Sequence, residues 1–380
     1  MKKILIFFRE DRNIETYPYI LNFIKLIHKT YKIDFLVTSE MYSDYYLENL
    51  TLHKASKSNY TKSAVRHLQK YGNDYSFVIA YSIEGIWAVC YHNILHFWKK
   101  IPLAYFSMEL FDVERKCPWI ISCLLSFFNG LNTKMLKFSV IQDAKRAEIL
   151  KRHFNFVDKI FTLPNSYIGY THKVSMFAHK KFNISTNKKI LLYTGALERW
   201  SYDIHLASYL SKLLYEDYVL LLSGFCRDSY VDIILKEYAD LIGENKVIVN
   251  TEILNELDYT ELVKSATIGL VWYKKLETNL HSKIEIENIY SMGLSSGKLC
   301  KYLSCSIPVV APSFYTGYKE LMEDKKIGKV SDYGEELADK ILTIVSDYAL
   351  YKYNVENIYK NELEYSKQSQ PIINEIKKIG

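Results

Sequence analysis

The feature that most constrains this chain is an alternation of short apolar runs with amphipathic stretches, and it occurs twice. In the first half, apolar runs at 3–8, 33–38, 77–81, 103–106, 138–142 and 159–163 are separated by helical periodicity at 19–29, 61–70, 85–99, 118–137 and 144–154. Strands that are apolar throughout need cover on both faces, so the pattern predicts a parallel α/β sheet wrapped by helices. Leu163-Pro164-Asn165-Ser166 closes this series, and a polar stretch without period follows at 167–187. The alternation then restarts, with strands at 190–194, 218–223, 246–250, 268–272, 308–311 and 328–330, and helices at 201–215, 229–242, 257–266, 297–305, 318–323 and 335–346. The expectation is two Rossmann-like, doubly wound domains, 1–166 and 188–350, with 167–187 as linker and a helical tail at 351–380 interrupted by Pro371. Ligands of such sheets sit beyond the carboxyl ends of the strands, and two facing sheets would place a cleft there.

Composition narrows the function. The six cysteines (Cys90, Cys117, Cys123, Cys226, Cys300, Cys305) form no C-x-x-C pair and have no histidines at ligand spacing, which points to reduced thiols and argues against zinc. The N-terminal apolar run ends at Arg9-Glu10-Asp11-Arg12, too early for a secretory signal, and no uncharged apolar stretch reaches the ~20 residues of a membrane span. Lysines and arginines in the first half (Lys99, Lys100, Lys134, Lys137, Lys145, Arg146, Lys151, Arg152) suit either solvated helix faces or peripheral contact with an anionic membrane. Tyrosines are spread along the chain without a basic-aromatic cluster, so nucleic acid is not an expected partner.

Three strand-to-helix junctions of the second half carry anion-binding chemistry. Gly195 follows the first strand there and Arg199 stands four residues on; Gly224 and Arg227 repeat the arrangement after the second. At Ser295-Ser296-Gly297-Lys298, small residues open a helix beside a lysine, where unsatisfied N–H groups and a partial positive charge favour a diphosphate. The same residues would also serve as the cap of an ordinary turn. Asn250 ends a strand where a nucleobase edge could be received, and Glu285 or Glu287, in the patternless segment 273–294, could meet a sugar or ribose hydroxyl. In the first half, Glu109 and the group Glu10, Asp11 and Glu15 lie just past strands, placed to act on an acceptor or to serve as first-turn acids.

Taken in order, Y-T-G-A-L (193–197), L-L-L-S-G-F (220–225), L-V-K-S-A-T-I-G-L-V (262–271) and S-G-K-L-C-K-Y-L-S-C-S-I-P-V-V (296–310) resemble the GT-B glycosyltransferases, close to the GT4-like group of bacterial polysaccharide synthesis. Y-F-S-M-E-L (105–110), V-I-Q-D-A-K-R-A (140–147) and L-P-N-S (163–166) extend the resemblance into the first half. It implies transfer of a sugar from a nucleotide donor, UDP- or GDP-linked, to a hydroxyl of a glycan or lipid-linked acceptor, without cofactor or metal, in the cytoplasm or at the inner face of the plasma membrane. Gly195, Arg199, Ser295, Ser296, Gly297 and Lys298 would hold the diphosphate, the loop after Val249, which begins at Asn250, the base, and the tail would pack back on the first domain; Arg227 is a donor-binding candidate from its place after Gly224. Two departures stand out. The group's E-x7-E glutamates fall here on Gly293 and Lys301, and its glycine two residues before Pro308 is Ser306. Stereochemistry therefore stays open between a retaining enzyme and an inverting one with Glu109, Asp11 or Glu15 as base. A sugar-nucleotide epimerase and a non-catalytic nucleotide-sugar-binding subunit remain as other readings.

Overall fold

A computed structural model describes residues 1–9, 17–38, 47–96, 98–110, 123, 135–153, 159–226, 229–275, 279, 281–334 and 336–379. The chain divides into two compact units: Met1–Ile168 with Lys283–Asn288 and Tyr365–Gly380, and Gly169–Ser282 with Ile289–Glu364.

The first unit is built on a seven-stranded parallel sheet of order β3-β2-β1-β4-β5-β6-β7. Its strands are β1 (Lys3–Phe7), β2 (Lys32–Thr38), β3 (Leu50–Ala55), β4 (Tyr75–Ala80), β5 (Leu103–Phe106), β6 (Leu136–Ile141) and β7 (Ile160–Thr162). β1 shows why apolar runs give this arrangement. Ile4 and Ile6 enter one core layer and Leu5 and Phe7 the other, all fully buried, so neither face of the sheet is left to water. The C-terminal helix Tyr365–Ile379 supplies Tyr365, Ile372, Ile373 and Ile376 to the first of these layers, and Tyr365 donates a hydrogen bond to the Tyr19 carbonyl.

The second unit holds a six-stranded parallel sheet of order β10-β9-β8-β11-β12-β13. These are β8 (Lys189–Thr194), β9 (Tyr218–Ser223), β10 (Val247–Asn250), β11 (Ile268–Leu270), β12 (Val309–Pro312) and β13 (Gly328–Ser331). Ile190 and Leu192 face one layer, Leu191 and Tyr193 the other. The strand order reverses between β8 and β11, the place where such sheets open a crevice for ligands.

Four expectations need correction. β3 was not foreseen: with Leu50, Leu52 and His53 only half-buried and Thr51 and Lys54 exposed, it lacks the apolar run by which the other strands announce themselves. The polar stretch 167–187 contains the helix Phe177–Lys181, pinned by Ala178 N–H donating to Ser265 Oγ at 3.1 Å. The segment 273–294 contains the helix Lys283–Tyr290. The helices expected at 201–215 and 229–242 are each broken, into Leu206–Tyr209 and Ser211–Leu214, and into Tyr230–Glu237 and Ala239–Gly243. Of the helix expected at 118–137, only Cys123 and the last residues lie within the described residues, and Leu136 already begins β6. Among the described residues no helix is long and apolar enough to cross a membrane.

Candidate functional site

In the second unit the carboxyl ends of β8, β9 and β10 are laced together. Gly195 N–H donates to Ser223 O (3.2 Å), Leu197 N–H to Phe225 O (2.9 Å) and Gly224 N–H to Asn250 O (2.9 Å). Both glycines are required. Gly195 has φ +119°, and a Cβ on Gly224 would lie 1.7 Å from the Gly195 carbonyl oxygen. The Asn250 side chain is committed to this lacing: its Nδ2 donates to Ser223 Oγ at 3.0 Å, and its Oδ1 accepts from Glu252 N–H at 3.4 Å. Any base contact here would therefore fall to the backbone that follows.

Across the strand reversal stands the helix Gly297–Ser304. Ser296 is its N-cap, with Oγ accepting from Leu299 N–H at 3.4 Å and 3.4 Å from the Tyr273 hydroxyl. A side chain on Gly297 would meet open space, so the helix mouth is unobstructed. Ser295 sits beside this cap, its Oγ buried. Lys298 is 9% exposed and runs inward rather than out to water. Its Nζ lies 4.0 Å from the centre of the Tyr193 ring and 3.9 Å from that of Tyr273, and 3.4 Å from the Trp272 carbonyl. A Cβ on Gly195 would be 3.5 Å from the same Nζ. Among the described residues no carboxylate pairs with it, and burial drives its pKa well below the ordinary lysine value. Two aromatic faces are thus the main compensation for a desolvated cation at the mouth of a helix.

Lys301, one turn on, occupies the position where the resemblance anticipates a glutamate. It is 4% exposed, donates to Thr260 Oγ1 at 2.7 Å, and lies 5.5 Å from the Tyr259 ring centre; burial lowers its pKa too. The helix ends in a Schellman motif: Ile307 N–H bonds Tyr302 O at 3.0 Å and Ser306 N–H bonds Leu303 O at 3.1 Å. That motif needs a left-handed residue, and Ser306, at φ +58°, stands where the resemblance anticipates a glycine. Its Oγ donates to Thr171 O at 3.0 Å, a bond glycine could not make.

Arg199 stacks on Tyr230, its guanidinium 5.5 Å from the ring centre, and is exposed. Arg227, Asp11 and Glu15 lie outside the described residues. Glu285 is half-buried on the helix Lys283–Tyr290, within the segment that groups with the first unit. Glu287 pairs with Arg152 at 3.3 Å.

In the first unit, Glu109 stands just past β5 with its side chain 44% exposed. Its Oε2 accepts from Asn288 Nδ2 at 2.8 Å and lies 3.5 Å from Arg146 Nη1. Arg146 is only 4% exposed, and it also donates to Gln142 Oε1 at 3.2 Å and to Asn288 O at 3.0 Å. Gln142 in turn donates to the Ser107 and Met108 carbonyls at 3.0 and 2.9 Å. Arg146, Gln142 and Asn288 were not foreseen as site residues. Gln142 and Arg146 lay inside the quoted V-I-Q-D-A-K-R-A, but an arginine on a helix reads as a solvated charge until its burial is seen.

The same unit gathers Asp34, His53 and His67, with ligand-type atoms within 4.8 Å of one another. Asp34 Oδ2 already takes Lys3 Nζ at 2.8 Å and the Tyr75 hydroxyl at 2.5 Å, so a metal ion would have to displace a lysine. The cluster reads as a hydrogen-bonded network.

No protein-family model matches the chain, and no curated protein matches it by sequence. Solved structures do share its fold. Anabaena HepE in complex with UDP and glucose superposes at TM-score 0.65 with 13% identity over the whole of both chains. Sucrose-phosphate synthase from Thermosynechococcus elongatus gives 0.67 and 12%, over 100% of this chain and 99% of that one. WaaG, a glycosyltransferase of lipopolysaccharide biosynthesis, gives 0.64 and 12%, over 97% and 98%. The chain has the two-domain, Rossmann-like GT-B fold that the order of its motifs implied.

Proposed function

We propose that the chain is a glycosyltransferase using a nucleotide-diphosphate sugar, with the donor diphosphate held at the strand reversal of the second unit. The observation that carries this reading is Lys298, a buried cation with no carboxylate partner among the described residues, boxed by Tyr193 and Tyr273 at the open mouth of the helix Gly297–Ser304. An isolated charge out of water is costly unless paired. A diphosphate would supply the missing anion, and the Gly195 turn, bare of side chain, lets its oxygens approach the backbone. As the leaving group departs, Lys298 and the helix N-terminus would take up the charge developing on the diphosphate. UDP-linked donors are the first choice, because HepE was solved with UDP, UDP and glucose, and UDP-glucose. The acceptor is taken to be a hydroxyl of a cell-surface glycan or its lipid-linked precursor, as the sequence resemblance implies.

Transfer with retention is the primary reading. One observation favours inversion as the second: the Glu109 carboxylate is 44% exposed yet oriented on one oxygen by Asn288 and Arg146, as a base awaiting a hydroxyl would be. Calorimetric titration with UDP, GDP and their hexose conjugates tests donor binding, and the absence of binding by all of them would sink the assignment. With an active donor and acceptor, the anomeric configuration of the product by NMR separates the two stereochemistries.

A further inference from the structure

The opposite end of the second sheet carries a pocket that the donor reading does not use. It lies beside Lys189, where β8 begins, and Thr267, just before β11, encloses about 500 Å³ and is lined by Lys173, Lys188, Lys189, Lys264 and Lys352. Among the described residues lining it none is acidic. Some of these cations are partly answered from outside. Lys264 pairs with Glu261 at 2.6 Å; Lys188 reaches Glu216 O at 2.7 Å and Asp217 at 3.7 Å; Lys189 lies over the Tyr218 ring. His172, also on the lining, stands 3.7 Å from Glu356. Lys173 and Lys352 have no ion-pair partner among the described residues.

A second observation comes from inside the pocket. His179 is 8% exposed, and its Nε2 stands 3.1 Å from the Lys188 carbonyl. A carbonyl oxygen can only accept, so Nε2 carries a proton, and in the neutral ring Nδ1 is the lone-pair nitrogen. Nδ1 is buried and has no hydrogen-bond partner among the described residues. Buried polar atoms are almost always satisfied, and an exception at a concave, cationic site calls for a ligand group with an O–H to give. A phosphate monoester or pyrophosphate anion has both features: oxygens for the lysines and, near neutral pH, a P–O–H for Nδ1.

We infer that this pocket binds a phosphate-bearing anion, at a site separate from the diphosphate cradle at the other end of the strands. Val174 and Met176, which also line it, are 70% and 37% exposed. They would suit the apolar part of a phospholipid as well as the flank of a soluble phosphate, so the test carries both sources.

The test is a calorimetric titration of the full chain with inorganic pyrophosphate, made in a Lys298→Met background so that the cradle does not contribute. Beside it runs co-sedimentation with vesicles containing phosphatidic acid, a phosphate monoester. The paired charge reversal Lys173→Glu and Lys352→Glu replaces one exposed and one half-buried lysine and should leave the thermal midpoint in place; His179→Gln removes the buried acceptor. A tenfold or greater loss of pyrophosphate affinity in the reversal variant, with a smaller loss in His179→Gln, supports a soluble phosphate ligand. Unchanged pyrophosphate titrations together with lost vesicle binding support a lipid headgroup as the source. If neither probe responds to the charge reversal, the pocket does not bind phosphate and the inference is overturned. None of these outcomes depends on UDP binding, so this site and the donor site can fail separately.

Discussion

Lys298→Met is the perturbation that bears most directly on the donor site. Methionine keeps the length and apolar stem of lysine while deleting the charge, so the cavity between Tyr193 and Tyr273 stays filled. A hydrogen bond from a charged donor to phosphate contributes about 1.5–3 kcal/mol, so UDP affinity should fall roughly 10- to 100-fold. Stability should move the other way. Burial holds the folded pKa of Lys298 well below the ordinary value of 10.5. The unfolded chain therefore binds more protons between those two values, and stability rises with pH across that interval. The lysine's penalty is fully present below the depressed folded pKa and fades as pH approaches 10.5. The variant should accordingly resist urea better than the parent at neutral pH, with the gap closing in alkaline solution. If pH lies above the depressed value, donor binding should also take up a proton, visible as a dependence of the calorimetric heat on buffer ionisation enthalpy. Undiminished UDP affinity in the variant would refute the reasoning, whatever the stability did.

Other perturbations separate fold from site. Arg146→Met leaves the Asn288 carbonyl and Gln142 Oε1 without their donor and should cost about 3 kcal/mol in urea unfolding. Glu109→Gln keeps the shape but removes the carboxylate beside the buried Arg146, so a loss of about 1 kcal/mol is expected in urea unfolding; if Glu109 is the base of an inverting reaction, turnover disappears with it, and normal turnover returns it to a supporting role. Gly224→Ala drives a Cβ into the Gly195 carbonyl and should destabilise by about 1–3 kcal/mol while weakening UDP binding in the same titration. Ser306→Gly relieves about 1 kcal/mol of left-handed strain but loses the bond to Thr171 O, and a thermal midpoint within a few degrees of the parent is expected. Acid should weaken the first unit in two stages. Burial lowers the pKa of His67 and of His92 to about 4 each, so stability falls as pH drops from 6.5 toward 4; below that, protonation of Asp34, whose pKa its partners His53, Lys3 and Tyr75 hold low against burial, removes more. His67→Gln should shrink the first stage in a pH series of urea midpoints and leave the part that His92 contributes.

Much of this architecture was legible because its strands are buried on both sides. β8 and β9 are unbroken apolar runs, and nothing but the interior of a parallel sheet accommodates them. The proposed cradle drew attention because small residues stand before a lysine at a helix start, a pattern that equally suits the cap Ser296 forms. What escaped notice depended on partners remote in sequence. Arg146 is held in part by Glu109 and by Asn288, 37 and 142 positions away, and no local pattern hints at either. The helix Lys283–Tyr290 was hidden because only Ile284 and Asn288 are buried on it, and an asparagine on the inward face erases the apolar stripe. The aromatic box around Lys298 draws on β8, on the residue after Trp272 and on the helix itself, three segments whose meeting is a property of the strand order.

β3 has a consequence beyond its place in the sheet. It is the outermost strand of the first sheet, pairing among the described residues only with β2, and at the other end β7 is just three residues long. An open parallel sheet offers unpaired backbone groups at its rims, where a strand from another molecule could add itself. The exposed Lys54 and Thr51 make β3 a poor template for such growth, and β7 is too short to be one. The polarity that concealed β3 in the sequence thus disfavours edge-to-edge pairing with another copy of the chain. An apolar replacement such as Lys54→Val would turn it into a conspicuous strand and, by the same token, into a seed for aggregation.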